Sequence, residues 1–311
     1  MSEFHHVSVL LEECVQGLNI KPEGIYVDGT LGGAGHSSRI AQLLTTGMLI
    51  GIDRDSVALE AAGERLKPFG SRVKLVHSNF CQLDRVLDEL GIPFVDGILL
   101  DLGVSSPQLD DAQRGFSYMA DAPLDMRMDH GDSLSAYTVV NTWSYEELKK
   151  ILYEYGEERF ASQIAGNICR RREQKPIRTT LELVDVIRSA MPPAALREKQ
   201  HPAKRSFQAI RIAVNDELNA VAKVMEKAIP RLAPGGRLAV ITFHSLEDRI
   251  VKNAMAEAAK GCTCPPSFPV CVCGRKPQVR LVTRKPIVSG SEELEYNPRA
   301  RSAKLRICEK I

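Results

Sequence analysis

Apolar runs alternate with amphipathic segments through the first hundred residues. The strand-like runs are 25–27, 48–52, 73–77 and 97–100, and the helical patterns between them are 36–44, 55–66 and 83–90. A turn closes each helical pattern. Strands that alternate with helices of this length predict right-handed βαβ units and a parallel sheet.

The alternation stops after Leu102. Between about residues 108 and 200 no convincing strand occurs, but two capping boxes, Ser144 with Glu147 and Thr179 with Glu182, mark helix starts. The sequence therefore predicts a helical insertion that interrupts the sheet domain. We place the first part of the sheet domain at 1–107, the insertion at 108–206 and the second part at 207–311.

The second part resumes the sheet pattern. One long amphipathic helix is predicted from Phe207 to Met225, and an apolar strand at 238–243. A helix then begins near Ser245, where Asp248 completes the spacing of a capping box. Two late strands, 280–283 and 303–308, form an expected antiparallel edge. The predicted fold class is α/β, a Rossmann-like sheet of five parallel strands and a terminal hairpin, with an inserted all-helical domain.

A glycine-rich turn lies between the first two strands. The first apolar run ends at Asp28, four of the next seven residues are glycine, and the second run ends at Asp53. Glycine lets a backbone approach a ligand closely, and a nucleotide-type ligand binds at such strand ends. The dinucleotide fingerprint requires a third glycine where Ser38 stands, so a nicotinamide enzyme is disfavoured. S-adenosylmethionine is the predicted ligand, with Asp53 accepting hydrogen bonds from its ribose.

The distribution of charge along the chain indicates a surface that could bind a polyanion. The 311 residues are 44% hydrophobic and 26% charged, with a net charge of +2. Residues 159–211 hold 12 basic and four acidic residues, and residues 260–311 hold 11 and four. Two basic blocks in a near-neutral chain favour a nucleic acid partner. The alternative is that these residues lie on solvated helix faces, and composition alone favours that alternative.

The apolar runs are too short for membrane spans, and the N-terminus lacks the pattern of a signal peptide. We expect a cytoplasmic protein without a membrane partner, whose eight cysteines are thiols or metal ligands. Cys262, Cys264, Cys271 and Cys273 lie within twelve residues. They are zinc candidates, although structural sites usually space each pair by two to four residues. The alternative is a loop of free thiols.

Seven motifs make a family resemblance specific. They are 27–37, 99–111, 125–129, 155–160, 207–211, 243–249 and 297–302. In this order they resemble the bacterial ribosomal RNA small-subunit methyltransferase H family, also called MraW, from about His6 to Ile307. The resemblance implies N4-methylation of one cytidine in the decoding region of small-subunit (16S) ribosomal RNA, with S-adenosylmethionine as donor.

The resemblance also implies a cofactor site. Ala34, Gly35 and His36 would wrap the methionine end, Asp53 would hold the ribose, and Phe80 would lie against the adenine. Asp101 and Gln108 would complete the pocket. Position 34 is often glycine in the family, so Ala34 is a mild departure.

The residues that would bind and activate the cytidine are less well defined than the cofactor site. The exocyclic amine of cytosine is a poor nucleophile, and an acceptor for its protons would stabilise the developing positive charge. The candidates for this role are Asp101, Ser105 and His244. The residues predicted to bind the substrate are His201, Lys204, Arg205, Arg211 and Arg249.

Three alternatives stay open. The chain could methylate another nucleic acid, methylate a small metabolite, or act as a ribosome-assembly factor that binds the donor without chemistry. The expected partner is small-subunit ribosomal RNA or the small ribosomal subunit. A homodimer is also possible.

Overall fold

The computed structural model describes residues 8–265, 270 and 272–311. Its internal contacts divide the chain into two compact units. One comprises Met1–Gly103 and Leu218–Ile311, and the other comprises Val104–Glu217. The insertion thus begins four residues earlier and ends 11 residues later than the sequence suggested.

The first unit contains one seven-stranded sheet. Its strands are β1 (Ile25–Asp28), β2 (Met48–Asp53), β3 (Val73–His77), β4 (Val95–Asp101), β5 (Leu232–Thr242), β6 (Val279–Leu281) and β7 (Lys304–Lys310). Their order is β3-β2-β1-β4-β5-β7-β6. The first five strands pair in parallel, and β7 pairs antiparallel with both β5 and β6. The predicted sheet of five parallel strands and a terminal hairpin is confirmed.

Fourteen helices are described. They are α1 (Leu11–Leu18), α2 (Gly35–Leu43), α3 (Ser56–Leu66), α4 (Leu83–Glu89), α5 (Ser106–Asp110), α6 (Ala136–Thr142), α7 (Tyr145–Glu154), α8 (Ala161–Gln174), α9 (Thr180–Ser189), α10 (Pro193–Leu196), α11 (Lys204–Asn215), α12 (Glu217–Ala228), α13 (Ser245–Ala258) and α14 (Ser291–Tyr296). Within the described ranges, none is both long and apolar enough to cross a bilayer.

Alternate residues of the central strand β4 enter different cores on the two faces of the sheet. Ile98 and Leu100 of β4 pack with apolar residues of α4, α12 and α13. Leu99, between them, packs with residues of α1 and α2 on the opposite face. Burial on both faces explains why the strands appear in the sequence as continuous apolar runs.

The insertion has a hydrophobic core of its own, formed by residues between Phe116 and Val214. Asn215, at the end of α11, fixes a loop of this unit by side-chain hydrogen bonds. Its Oδ1 accepts from the Met128 N–H at 2.8 Å, and its Nδ2 donates to the Met126 carbonyl at 2.8 Å. A buried amide that pairs with backbone groups on a distant loop helps to specify one arrangement of that loop.

The predicted helix from Phe207 to Met225 is wrong as a single element. Asp216 adopts a left-handed conformation with φ 50°, which ends α11 before α12 begins. Phe207 packs inside the insertion core, so α11 belongs to that unit. A period-3.6 pattern continues through such a break because both helices have an apolar face, and the sequence contains no Pro or Gly to mark it.

Two local predictions also need correction. Strand β5 begins at Leu232 rather than Leu238. The Pro234-Gly235-Gly236 segment forms an irregularity within the strand, where pairing jumps from Leu232 to Arg237. The residue that caps α13 is His244, not Ser245. Of the two predicted capping boxes in the insertion, Ser144 with Glu147 is complete. At Thr179 only the hydroxyl contact with the Glu182 N–H is formed.

Candidate active site

Three carboxylates end neighbouring parallel strands. Asp28, Asp53 and Asp101 are the last residues of β1, β2 and β4. Strand β1 lies between β2 and β4, so the chain crosses over in opposite directions on its two sides. Ligands of open α/β sheets bind at the carboxyl edge beside such a switch point. The sheet therefore brings the sequence-predicted Asp53 and Asp101 to this edge.

Asp28 and Asp53 hold the glycine-rich turn by accepting its hydrogen bonds. Asp53 Oδ2 accepts from the Gly32 N–H at 2.8 Å. Asp28 Oδ2 accepts from the Ser37 hydroxyl at 2.7 Å, and its Oδ1 accepts from the Thr30 N–H at 3.2 Å. Burial raises the pKa of both carboxyls. The sequence did not assign this bracing role to Asp28, Thr30 or Ser37.

The glycine-rich turn leaves no room for a larger residue at Gly35, and its backbone conformation favours glycine at position 34. Ala34 has φ 57°, a left-handed conformation that glycine adopts with less strain. Glycine at position 34 would therefore relieve backbone strain. A Cβ at Gly35 would lie 1.8 Å from Ser8 Oγ and 3.1 Å from Ser8 Cβ. Gly35 therefore lets the segment before α1 pack directly on the start of α2.

Asp101 is the most unusual group of the site. Its Oδ1 is buried and has no hydrogen-bond partner among the described residues, although the side chain as a whole is 24% exposed. Burial is the main reason that the pKa of Asp101 is raised to about 8, and the carboxylates of Asp28 and Glu247 raise it further. A cationic ligand beside Asp101 would relieve this destabilisation of the charged form. The residues present thus fit a sulfonium donor.

His36 is held as a neutral ring. Burial lowers its pKa to about 4, and its Nε2 donates to the Val9 carbonyl at 3.0 Å. Its Nδ1 lies 3.8 Å from Asp101 Oδ2, which is too long for a hydrogen bond. At neutral pH the two groups are therefore not an ion pair. His36 fastens the N-terminal segment to α2, and its ligand contact stays a prediction.

Phe80 lies close to the glycine-rich turn. It opens a short 3₁₀ turn, Phe80–Gln82, that follows β3. Its Cβ is 3.3 Å from the position that a Cβ of Gly29 would occupy. The half-buried ring also packs against one of the two sheet cores. Phe80 can therefore serve both as a core residue and as one wall of a ligand pocket.

Gln108 and Ser105 belong to the insertion, where they cap α5. Gln108 Oε1 accepts from the Ser105 N–H at 3.1 Å, and Ser105 Oγ accepts from the Gln108 N–H at 3.4 Å. This capping box was not foreseen. It assigns a local structural role to the Ser105 hydroxyl, one of the three candidates for activating the amine.

Glu247 is a functional candidate that the sequence analysis missed. Its Oε2 accepts from the N–H groups of Phe243 and His244 at 2.9 and 3.4 Å, which caps α13 at the end of β5. Its Oε1 lies 3.1 Å from His244 Nε2, and the His244 side chain is only 10% exposed. The sequence signal that could have identified Glu247 was its spacing of three residues from His244.

Arg249, predicted to bind the substrate, is exposed on α13.

Four of the five residues predicted to bind the substrate belong to the insertion, and three of these four make contacts with other residues of that unit. Arg211 makes a bidentate ion pair with Glu217, with both N–O distances 2.9 Å. His201 stacks on Tyr118 with 4.5 Å between ring centroids, and burial lowers its pKa, so it is a poor cation. Both side chains are engaged within the insertion, and their contacts with the substrate stay predictions. Arg205 donates to the Glu157 carbonyl at 2.7 Å, and Lys204 is exposed at the start of α11.

The sheet and the acidic, glycine-lined edge define a Rossmann-like methyltransferase. The chain belongs to the MraW methylase family, whose sequence profile matches residues 3–311. This membership confirms the family suggested by the motifs and S-adenosylmethionine as the cofactor.

Two curated relatives, both named ribosomal RNA small subunit methyltransferase H, illustrate the similarity. The protein from Brevibacillus brevis is 59% identical over 309 residues, which cover 99% of this chain and 98% of the relative. The protein from Clostridium botulinum (strain Kyoto / Type A2) is 58% identical over 310 residues, 99% of this chain and 100% of the relative. Among solved structures, a putative rRNA-methylase from Clostridium thermocellum matches with a TM-score of 0.45 and 12% identity, covering 99% and 100% of the two chains.

The contact between Gly35 and Ser8 generates the first prediction. Gly35→Ala should lower the unfolding free energy by about 1–3 kcal/mol, because the added methyl group overpacks a closed contact. Ser8→Ala in the same chain should restore most of the loss by removing the hydroxyl 1.8 Å from the new methyl. Chemical denaturation of the four variants of this cycle measures the coupling. Gly290→Ala, where a Cβ meets no atom within 4 Å, is the control. Purely additive effects of Gly35→Ala and Ser8→Ala would contradict the contact.

The raised pKa of Asp101 predicts a pH-dependent stability. The folded-state pKa of about 8 exceeds the ordinary value of 3.8, so folding takes up a proton between these values. The contribution of the protonated Asp101 carboxyl to the unfolding free energy is complete below about pH 4 and is lost as the pH rises through about 8. Asp101→Asn should therefore gain stability relative to the parent chain across this range and level off above it.

Denaturant titrations from pH 4 to 9, without cofactor, measure this difference. Asp185→Asn, at an exposed position of α9, is the control for losing a carboxyl. A difference between Asp101→Asn and the parent chain that does not change with pH would show that Asp101 is already ionised in the folded protein.

Proposed function

We propose that this protein transfers a methyl group from S-adenosylmethionine to N4 of a cytidine in small-subunit ribosomal RNA. The observation that carries the substrate class is the 59% identity, over nearly the full length of both chains, to a relative named for small-subunit ribosomal RNA. The cytidine in the decoding region comes from the resemblance of the seven motifs. Asp101 Oδ1, which has no hydrogen-bond partner among the described residues, supports an amine as the group that accepts the methyl.

S-adenosylmethionine, when bound, supplies an electrophilic methyl group on a positively charged sulfur. The glycine-rich turn and Asp53 would hold its methionine and ribose ends, and Phe80 would lie against the adenine. Asp53 keeps its orientation through the Gly32 and Asp55 N–H groups. Positioning by such groups can contribute on the order of 7–11 kcal/mol to lowering the barrier.

Asp101 is the favoured acceptor for a proton of the cytosine amine. The amine shares its lone pair with the ring, and a hydrogen bond to a carboxylate stabilises the positive charge that develops on nitrogen. Asp101 Oδ1 has no partner among the described residues. By contrast, the Ser105 hydroxyl caps α5. The ring nitrogens of His244 also lack a hydrogen-bond partner among the described residues, but Nε2 lies 3.1 Å from the Glu247 carboxylate, which is already a proton acceptor beside it. We therefore prefer Asp101 over Ser105 and His244 for this role.

Exposed cations of the insertion and of α13 would bind the RNA backbone. Lys204 and Arg249 are exposed, and Arg205 is partly exposed. Contacts to phosphate supply affinity and depend on salt, but they carry no sequence information. Losing these cations should therefore weaken RNA binding without changing donor binding.

The test is transfer of tritiated methyl groups to small ribosomal subunits, naked small-subunit RNA and DNA in parallel. We expect labelled N4-methylcytidine after nucleoside analysis of an RNA substrate. Asp53→Ala should weaken donor binding. Asp101→Asn should reduce kcat by on the order of 10²–10³, the size of losing one transition-state hydrogen bond. Lys204→Ala with Arg205→Ala should raise KM for RNA and reduce its salt dependence.

Asp185→Asn is again the surface control and should leave kcat unchanged. Label on DNA alone, or on a base other than cytosine, would contradict the proposed substrate. Donor binding without label on any acceptor would instead identify a non-catalytic assembly factor.

A further inference from the structure

Three thiols outside the active site meet in one cluster. The Sγ atoms of Cys262, Cys264 and Cys273 all lie within 4.8 Å of one another, in the segment between α13 and β6. Cys262 and Cys273 are exposed and Cys264 is partly exposed, so solvent ions can reach them. The fourth cysteine of the sequence pattern, Cys271, lies outside the described residues, and the inference rests on these three thiols alone.

The spacing of the sulfur atoms matches a metal site. Tetrahedral Zn–S bonds of about 2.3 Å place two ligand sulfurs about 3.8 Å apart. Cys262 Sγ and Cys273 Sγ are 3.6 Å apart, well beyond the length of a disulfide bond. The one-residue spacing of Cys262 and Cys264 had counted against zinc. The fold overcomes that objection because Cys273, nine residues after Cys264, returns to the same place.

Backbone N–H groups point at two of the sulfurs. The Cys264 N–H donates to Cys262 Sγ, and the Val272 N–H donates to Cys264 Sγ, both at 3.4 Å. Such donors stabilise the negative charge of a thiolate and orient metal ligands from the second shell of a site. The segment from Lys260 to Lys276 also contains three basic residues and no acidic one, so no carboxylate of this segment competes with the sulfurs for a metal ion.

The ends of the segment are tied together before any metal binds. The Gln278 N–H donates to the Ala258 carbonyl at 2.8 Å. The Arg275 guanidinium donates to the Glu257 carbonyl at 2.7 Å and lies 2.6 Å from the Glu257 carboxylate. Gly274, with φ 63°, turns the chain directly after Cys273. Because these ends are already joined, less conformational entropy is lost when a metal brings the three thiols together.

We propose that Cys262, Cys264 and Cys273 bind a soft divalent metal ion, with Zn²⁺ as the probe, in a three-thiolate site. Binding replaces three S–H bonds with three Zn–S bonds and releases the three protons to solvent, so affinity rises with pH. A fourth coordination position completes the tetrahedron. The metal would stabilise this segment rather than take part in methyl transfer.

The test uses the full chain, purified with a phosphine reductant and dialysed against added Zn²⁺ and then against metal-free buffer. Elemental analysis should find about one zinc per chain. Titration of the metal-free protein with Co²⁺ should give the thiolate-to-cobalt charge-transfer absorption. Cys262→Ser, Cys264→Ser and Cys273→Ser should each lower the affinity for Co²⁺ by more than about tenfold. Cys169→Ser, at a partly buried position that packs against the insertion core, is the matched control and should bind like the parent chain.

No bound zinc and no charge-transfer band in the reduced protein would overturn the proposal. Equal binding by a chain that carries all three serine substitutions would overturn it as well, since the metal would then lie elsewhere. Both readouts are independent of methyl transfer. Failure of the metal site and failure of the proposed function are therefore distinguishable.

Discussion

The active site depends on one electrostatic constraint, the burial of several carboxylates together. Burial is the main cause that raises the pKa of Asp101 to about 8, and the carboxylates of Asp28 and Glu247 raise it further. Burying an unpaired carboxylate is costly, and it persists only where the surrounding fold outweighs that cost. A positively charged sulfonium is the kind of ligand that such a site favours, because it supplies the missing charge. Under the proposed function, the same group of acids would serve both the binding of the donor and the activation of the amine.

The surrounding elements hold these acids by hydrogen bonds that are not themselves catalytic. Asp28 and Asp53 brace the glycine-rich turn, and Glu247 caps the helix after β5. His36, neutral and buried, fastens the segment before α1 beside Asp101. A site built on strand ends and helix starts keeps its geometry because each support belongs to a rigid element. The short contact between Gly35 and Ser8 closes the same region from the N-terminal side.

Much of the fold and part of the site followed from the sequence. Parallel strands buried on both faces give continuous apolar runs, and Asp53 was found because it ends such a run. Asp101 was identified through the family resemblance. The break at Asp216 was missed since no Pro or Gly marks it, and the cap of α13 was placed one residue late because Ser245 is the more typical capping residue. The engagement of Arg211 by Glu217 and the stacking of His201 on Tyr118 depend on tertiary contacts. The sequence identifies such residues as basic or titratable but does not show which partners they contact in the fold.

The most direct test of the central claim is the number of protons released when the donor binds. At pH 7 a carboxyl with a pKa of about 8 is mostly protonated, and a neighbouring sulfonium favours its ionised form. Calorimetry of S-adenosylmethionine binding in buffers of different ionisation enthalpy should show net proton release in the parent chain. It should show less release with S-adenosylhomocysteine, whose sulfur is neutral, and little with Asp101→Asn. Equal proton release by the parent chain and Asp101→Asn, or none in either, would contradict the account.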